Sequence, residues 1–270
     1  MIYPFVYIAS LPRTGSTLLS EALTQLPYAF ILHEPHLGKN YFAVKSNDAT
    51  RLKACGVDLY AFVKYRLPFA FLLRRLRPFR FPQDYMVREV KQKLLPHLTC
   101  DTQIGVKEIA HVGWQNYIKH FPDMKVILTG RDPRDIYLSM YRKSQRDRVS
   151  WRGPFNPTTV ARFLNKEFEM QLALSKTVDS LSVRYEDFCR DAAVLQQVKD
   201  FAQSPIPTLG TIGAYISSHP TRTFEHDIHG GEITIKSVNR WKDETDPCLL
   251  AEANACLEQM SAYSQYWGYQ

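Results

Sequence analysis

The sequence has little cysteine: its 270 residues include five, an odd number. The five are widely spaced and none forms a CxxC pair, which argues against a disulfide framework and against a zinc site. This pattern is typical of a reducing compartment, and we expect a cytoplasmic protein.

Long apolar runs are also missing. No stretch of about 18 or more apolar residues occurs, so a membrane-spanning helix is not expected. Residues 1–8 lack the basic segment and the small-residue cleavage site of a signal peptide. We predict instead that they form a strand that enters the core directly.

Acidic residues are outnumbered, and the formal net charge is +7. Such a surplus of positive charge is typical of a protein that binds nucleic acid or a smaller anionic ligand. The positive charge is scattered, and the sequence lacks zinc-finger spacing, an RNP1-like aromatic motif and a long Lys/Arg block. A polyanionic cofactor accounts for the charge as well as DNA would, and we expect no nucleic-acid partner.

Patterns of strand and helix alternate along the chain, which predicts an α/β fold: a P-loop-like, mostly parallel sheet flanked by helices, in a single domain of residues 1–270. Ligand sites are then expected at the carboxyl ends of the strands. The predicted strands are 3–10, 29–32, 104–107, 125–129 and 181–185, and the main predicted helices are 16–26, 57–98, 112–120, 158–176 and 247–263, with another that opens at 132–133.

The sharpest motif is a glycine-containing loop, LPRTGSTLL at residues 11–19, between an apolar strand and an amphipathic helix. Backbone N–H groups in such a loop point into one concavity, and the helix N-terminus adds positive potential. Arg13 supplies a full charge, Gly15 lets the backbone approach an anion, and the hydroxyl groups of Ser16 and Thr17 can donate hydrogen bonds. The alternative is an ordinary strand-to-helix turn with a Ser or Thr cap.

This loop is not a Walker A motif, because no lysine precedes Ser16. An enzyme that hydrolyses ATP or GTP is therefore disfavoured.

A second motif, TGRDPRDIYLS at residues 129–139, leaves a buried strand. Asp132 and Pro133 are typical of an N-cap and a first helical residue. Arg131 at the strand end and Ser139 two turns into the helix are placed to bracket one anionic group. A capped helix with Arg131 in a surface ion pair is the alternative.

Together these motifs resemble those of the sulfotransferase superfamily that uses 3′-phosphoadenosine 5′-phosphosulfate (PAPS). Residues 13–17 resemble the family's 5′-phosphosulfate loop, in the Arg-bearing form of carbohydrate and tyrosylprotein members, and Arg131 with Ser139 resembles its 3′-phosphate pair. VRYEDF at 183–188 and SVNRWK at 237–242 resemble two later segments. The cofactor-binding residues that this resemblance implies are Arg13, Thr14, Gly15, Ser16, Thr17, Leu18, Arg131, Ser139, Tyr185, Ser237, Arg240 and Trp241.

The resemblance implies in-line attack of an acceptor hydroxyl or amine on sulfur, with 3′-phosphoadenosine 5′-phosphate (PAP) as the leaving product. Charge builds on the leaving oxygen, and Arg13, the loop amides and Thr17 are placed to stabilise it. Lys107 is expected to polarise the bridging oxygen; a solvated strand-end lysine is the alternative. No metal is implied, and the acceptor is expected to be a small molecule, a carbohydrate or a lipid.

A general base must take the acceptor's proton. Cytosolic members of the family use a histidine, but the comparable position here holds Ile109. Carbohydrate-type members carry Glu-Pro after the second strand, which Glu34-Pro35 resembles. We therefore predict Glu34 as the base, with a pKa that burial raises, and His33 and His36 as alternatives. The alternative for Glu34 is a structural role, in an ion pair with a nearby arginine.

Two longer segments complete the prediction. Residues 57–98 are expected to form a helical insertion on the acceptor side, and residues 218–245 a polar loop that closes over the cofactor. Within residues 66–81, phenylalanines and leucines are mixed with arginines. That mixture suits a surface for an apolar acceptor or a membrane, or a helix that packs its apolar face and solvates its arginines.

Two functions from other classes remain open at this stage. A P-loop kinase of small molecules would bind ATP with Mg²⁺ in preference to PAPS. A nucleotide-binding module without activity would have a complete set of cofactor contacts and no base near the sulfur.

Overall fold

The computed structural model describes residues 3–66, 82–98, 101–147, 154–207 and 237–270. Five strands form one sheet in the order β2-β3-β1-β4-β5, and every neighbouring pair is parallel. The predicted α/β fold is confirmed. The strands are β1 Val6–Ser10, β2 Ala29–His33, β3 Gln103–Glu108, β4 Lys125–Gly130 and β5 Ser180–Arg184.

Helices flank this sheet, together with short 3-10 turns at Leu37–Lys39, Leu95–His97 and Arg240–Asp243 and π-helical turns at Phe62–Arg66 and Val90–Leu94. The α-helices are α1 Ser16–Ala22, α2 Ser46–Ala54, α3 Leu59–Ala61, α4 Tyr85–Glu89, α5 Gln115–His120, α6 Pro133–Asp147, α7 Pro157–Ser175, α8 Tyr185–Arg190, α9 Ala192–Phe201, α10 Pro247–Gln259 and α11 Ser261–Trp267.

The central strand β1 is buried on both faces, as expected for a parallel sheet covered by helices. Its side chains alternate, since successive residues of a strand point to opposite faces. Tyr7 and Ala9 pack into the larger core cluster, and Val6 and Ile8 pack into the smaller one with Leu19 of α1. The strand therefore holds the following loop against two cores at once.

Two predicted helices have different bounds. Helix α1 ends at Ala22 rather than at residue 26, because the backbone of Leu23 (φ −93°, ψ 8°) leaves the helical region. The predicted closing helix 247–263 is two helices, since the backbone of Met260 (φ −108°, ψ 37°) leaves the helical region. The second helix lays Trp267 against Gly130, where an added Cβ would meet the indole at 2.3 Å.

The predicted insertion at 57–98 is helical in its described parts, α3, α4 and the short turns beside them. Residues 67–81 of the arginine-rich segment, which was predicted to contact an acceptor or a membrane, lie outside the described residues. Most of the predicted closing loop, through residue 236, lies outside them as well. Within the described ranges no helix is long and apolar enough to cross a membrane.

The carboxyl ends of all five strands lie at one edge of the sheet, because the strands are parallel. The glycine loop follows β1, Glu34 follows β2 and Lys107 is the next-to-last residue of β3. Arg131 follows β4 and Tyr185 follows β5. Segments that are far apart in the sequence are therefore gathered at this edge.

His111, just beyond that edge, gives the fold a pH dependence. Its Nε2–H donates to the carbonyl oxygen of Ser10 at 3.1 Å, and its Nδ1 lies 3.3 Å from the hydroxyl group of Tyr7. Burial lowers the pKa of His111 to about 4, although the bond to Ser10 opposes this. Since a free histidine titrates near ~6.5, the unfolded chain takes up a proton that the folded chain refuses. His111 therefore costs no unfolding free energy above about pH 6.5. The unfolding free energy decreases as the pH falls from there towards 4.

We predict that His111 removes about 2 kcal/mol from the unfolding free energy between about pH 7 and pH 5. In the variant His111→Gln this part of the pH dependence should vanish, which urea denaturation at several pH values would measure. His97, which is exposed, offers the control His97→Gln, with an unchanged pH dependence. The prediction would be contradicted if, over this pH range, the unfolding free energy of His111→Gln fell by as much as that of the unmodified chain.

Candidate active site

The loop after β1 contains two left-handed residues just before α1, Arg13 (φ 70°) and Gly15 (φ 75°). Gly15 is required on two counts, because a Cβ there would also lie 2.1 Å from the ring of Tyr185. The loop therefore packs closely against Tyr185 at the N-terminus of α1, and its role as an anion site stays a prediction.

Two of the predicted cofactor-binding residues, Thr14 and Leu18, have side chains that are used within the protein. Thr14 is completely buried, and its hydroxyl group donates to the carbonyl oxygen of Leu11 at 2.8 Å and meets that of Thr129 at 2.8 Å. Leu18 packs its side chain into the smaller core cluster. Any contact of Thr14 or Leu18 with a cofactor must therefore come from the backbone N–H group.

The two predicted anion-binding groups touch. The Nε atom of Arg13 donates to Ser139 Oγ at 2.7 Å, and Nη1 of Arg131 donates to the carbonyl oxygen of Arg13 at 3.0 Å. A single cluster thus joins the loop after β1 to the start of α6. The interpretation of Arg131 as a surface residue is wrong, because Arg131 is buried.

Arg131 is held on several sides and retains one unused donor. Its guanidinium lies over the ring of Tyr185, 4.4 Å from the centroid, and Nη2 donates to Asp135 Oδ2 at 3.3 Å. Nη2 also donates to the carbonyl oxygen of Ser237. The Nε atom is buried and has no hydrogen-bond partner in the described part of the chain. A buried N–H donor without a partner costs free energy that an anion oxygen would recover.

The late segment predicted to contact the cofactor reaches the same cluster. The backbone N–H of Trp241 donates to Asp135 Oδ1 at 2.9 Å, and its ring stacks on the guanidinium of Arg134 at 3.6 Å. Burial, together with the neighbouring cations Arg142 and Arg131, lowers the pKa of Arg240. Crowded positive charge of this kind is relieved when an anion binds.

Asp135 was missed by the sequence-based prediction. It stands four residues after Arg131, a spacing that places both on one helical face, and this signal was available. Burial raises the pKa of Asp135, although Arg131 and the bond from the N–H of Trp241 oppose the rise. The carboxylate thus links Arg131 to Trp241.

On the other side of the edge, Glu34 is held by two lysines. Its Oε1 accepts from Lys107 Nζ at 2.5 Å, and its Oε2 lies 3.4 Å from Lys45 Nζ. Burial alone would raise the pKa of Glu34, but the ammonium groups of Lys107 and Lys45 outweigh it and hold the pKa at about 2. The predicted rise of this pKa is therefore wrong, and the expected ion pair is made with lysine rather than arginine.

Lys107 is buried, with 3% of its side chain exposed. It is therefore not the solvated strand-end lysine of the alternative interpretation. Lys45, the residue just before α2, was not singled out from the sequence.

His33, one alternative for the base, is fully engaged in a buried network. Its Nδ1 lies 2.7 Å from Asp48 Oδ1, and its Nε2 lies 2.9 Å from Ser20 Oγ and 3.3 Å from Glu21 Oε1. Both ring nitrogens are used within the protein, and the residue is buried. The network fastens α2 to α1 and leaves His33 no free atom for an acceptor.

His36 has a different environment. Its backbone N–H and its Nδ1 both bond the carboxylate of Glu108, at 2.7 and 2.8 Å, and Tyr117 donates to the same carboxylate at 3.2 Å. Glu108 is buried, whereas His36 is partly exposed. Glu108 was missed from the sequence, although its place at the carboxyl end of β3, directly after Lys107, pointed to this edge.

Comparison with known families agrees with this geometry. A model described as "Sulfotransferase family" matches residues 4–207, more than half of the chain. The chain belongs to the sulfotransferase family. Among proteins of curated function, none matches this sequence.

Solved sulfotransferase structures share the fold. A sulfotransferase domain from the curacin biosynthetic pathway has a TM-score of 0.65 and 18% identity over 99% of this chain and 98% of its own. A sulfotransferase from Alicyclobacillus acidocaldarius has a TM-score of 0.54 and 14% identity, covering 99% and 96%. The mouse sulfotransferase SULT7A1, complexed with PAP, has a TM-score of 0.51 and 12% identity, covering 99% and 89%.

The close approach of the loop to Tyr185 gives a prediction for this sulfotransferase-family chain. Gly15→Ala should lower the unfolding free energy by about 1–3 kcal/mol for the left-handed backbone and by more for the contact with the ring of Tyr185. Gly56 is a matched control, because it has a φ of 83° and open space around its missing Cβ. Urea denaturation should show Gly56→Ala clearly more stable than Gly15→Ala; equal losses would show that Tyr185 does not restrict the loop.

Proposed function

We propose that this protein transfers a sulfuryl group from PAPS to a hydroxyl or amine group of an acceptor by in-line displacement. The observation that carries the proposal is the junction of two anion-binding groups, the loop at residues 11–19 and the pair Arg131 and Ser139, through a 2.7 Å hydrogen bond. PAPS has anionic groups at both the 5′ and the 3′ position. The presence of PAP in the related mouse structure supports the same donor here.

The residues at the edge fit such a donor. Gly15 lets the ring of Tyr185 pack directly against the loop, and Arg131 offers a buried Nε–H without a partner in the described ranges. The loop amides and Arg13 would hold the 5′-phosphosulfate, and Arg131 with Ser139 would hold the 3′-phosphate. Ser237, Arg240 and Trp241 would cover the nucleotide from the late segment.

The chemistry asks for positive charge where the leaving oxygen develops negative charge. When bound, PAPS supplies an activated sulfuryl group with PAP as its leaving group. Arg13 and the amides at the start of α1 would stabilise that leaving charge, and Lys107, near the end of β3, would polarise the bridging oxygen. To do so, the ammonium of Lys107 must turn part of its hydrogen bonding from Glu34 to the donor.

The proton acceptor stays a prediction. Glu34 was predicted from the Glu-Pro pair, and its carboxylate can take a proton readily only after Lys107 has moved away, since together the lysines hold its pKa at about 2. His36 is the second candidate, because it lies close enough to Glu34 to influence its pKa. In this proposal both residues face the acceptor.

A small-molecule acceptor is proposed. Carbohydrates and lipids remain within the predicted range, and the segment that suggested an apolar or membrane surface, 67–81, lies outside the described residues. A kinase of small molecules is disfavoured, because the loop lacks the Walker lysine and the family model is that of sulfotransferases.

We predict that PAP binds in the low micromolar range or tighter without Mg²⁺, because arginines and backbone amides supply the positive charge. Isothermal titration calorimetry with PAP, ATP and GTP, each with and without Mg²⁺, would measure this. Absence of PAP binding, or binding that requires Mg²⁺, would refute the proposed function.

Arg131→Ala should weaken PAP binding by about 1.5–3 kcal/mol, the range for a hydrogen bond to a charged group. It should also erase the preference for PAP over adenosine 5′-phosphosulfate, which lacks the 3′-phosphate. Ser139→Ala, which leaves Arg131 in place, should reduce the same preference by a smaller amount. Arg162, exposed on α7, offers the control Arg162→Ala, with the same loss of charge and unchanged affinity. If Arg131→Ala still prefers PAP over adenosine 5′-phosphosulfate as strongly as the unmodified chain does, the assignment of Arg131 to the 3′-phosphate is wrong.

A further inference from the structure

One carboxylate holds His36 at two points of contact. Glu108 accepts from the backbone N–H of His36 and from the imidazole Nδ1, and it is steadied by the hydroxyl group of Tyr117. The backbone of His36 is left-handed (φ 58°), so the ring position depends on these bonds rather than on a regular helix or strand. Burial of Glu108 makes the arrangement stiff.

This contact also decides which ring nitrogen carries the proton. An ionised carboxylate can only accept hydrogen bonds, so the neutral imidazole must place its proton on Nδ1. Its lone pair is then on Nε2. Among the described residues, no hydrogen-bond partner of Nε2 is found for His36, in contrast to His33, whose two nitrogens are both engaged. An imidazole oriented by a carboxylate and free at Nε2 is the arrangement of a general base.

Glu34, by comparison, is poorly suited to accept a proton. Its two oxygens face Lys107 and Lys45, and an efficient base has a pKa near the working pH. The pKa of Glu34 is about 2 in this arrangement, below that range. The same ion pair gives Glu34 a different use, because it holds the buried ammonium of Lys107 at the edge of the sheet.

We propose that His36 accepts the proton of the attacking group through Nε2, that Glu108 is its positioning residue, and that Glu34 positions Lys107. This inference rests on the proposed sulfuryl transfer. The acceptor oxygen forms its bond to sulfur while the bond between sulfur and the bridging oxygen of the donor breaks. The electron pair of the broken bond leaves with PAP, and the acceptor's proton moves to Nε2, from which it returns to solvent.

The charged groups around His36 determine the expected pH dependence. Glu108 faces it from β3, and Glu34 acts on it from the end of β2. Protonation of His36 should stop turnover, because an imidazolium has no lone pair to accept a proton. Were Glu34 the base, the acid limb would instead follow the pKa of Glu34, which is about 2.

The first test is the tautomer of His36, measured by ¹⁵N NMR of the histidine side chains in the full chain. The unmodified protein should show the Nδ1–H form at neutral pH. Glu108→Gln should reverse it to Nε2–H, because the new amide NH₂ group donates to Nδ1. Tyr117→Phe removes one supporting bond and should keep the Nδ1–H form. An Nε2–H form in the unmodified protein would overturn the proposal.

The second test follows PAP release from PAPS, with water and then phenol as the acceptor, across pH. His36→Gln should lose about 10²–10⁴ of kcat. Glu108→Gln should lose less of kcat than His36→Gln, because the imidazole remains and only its orientation is lost. Glu34→Gln should keep the acid limb. The proposal fails if Glu34→Gln removes the acid limb while His36→Gln retains it.

PAP affinity separates this proposal from the proposed function. Among these variants, His36→Gln and Glu108→Gln should bind PAP as the unmodified chain does, since both residues are proposed to face the acceptor. If the unmodified chain itself does not bind PAP, the sulfotransferase assignment fails. If it binds PAP and releases it from PAPS while His36→Gln is unaffected, only the role of His36 is refuted.

Discussion

The parallel sheet is the constraint on which the remaining features depend. Because every strand runs the same way, each strand delivers the residue that follows it to one edge. The glycine loop, Glu34, Lys107, Arg131 and Tyr185 come from five separate regions of the chain. The burial of β1 against two cores is what keeps this edge rigid enough to hold a loop with two left-handed residues.

Charge is divided across that edge. On the β4 side the cations outnumber their partners: Arg131 keeps an unused buried donor, and Arg240 is crowded by other arginines. On the β2 side the lysines are paired with Glu34. The proposed anionic donor would therefore gain most on the β4 side and near Arg13, and the paired groups on the β2 side would face the reacting end of the donor and the acceptor.

The three candidates for the proton acceptor show how local contacts distinguish residues of similar type. His33 and His36 are three positions apart, yet His33 joins two helices through both ring nitrogens, whereas His36 has only Nδ1 committed. Glu34 lies between them and is neutralised by lysines. The difference comes from partners on other elements, Asp48 on α2 and Glu108 on β3, that no local sequence pattern relates to these residues.

The order of strands and helices along the chain and the parallel sheet followed from the sequence alone, because apolar periodicity, a glycine loop and an N-capped helix are local patterns. The family resemblance could be read from the same motifs. The assignment of Arg13, Gly15, Arg131 and Ser139 to anion binding stays a prediction from those motifs. The end of α1 at Ala22 and the break at Met260 were not predicted from the sequence.

Only the tertiary structure decided the protonation and pairing of the acceptor side. Burial suggested a raised pKa for Glu34, yet the position of Lys107 on the neighbouring strand reverses the direction. The bond of Glu108 to His36 spans 72 positions in the chain. A pKa and a tautomer depend on the charges within a few ångströms, and those neighbours are determined by strand pairing rather than by spacing along the sequence.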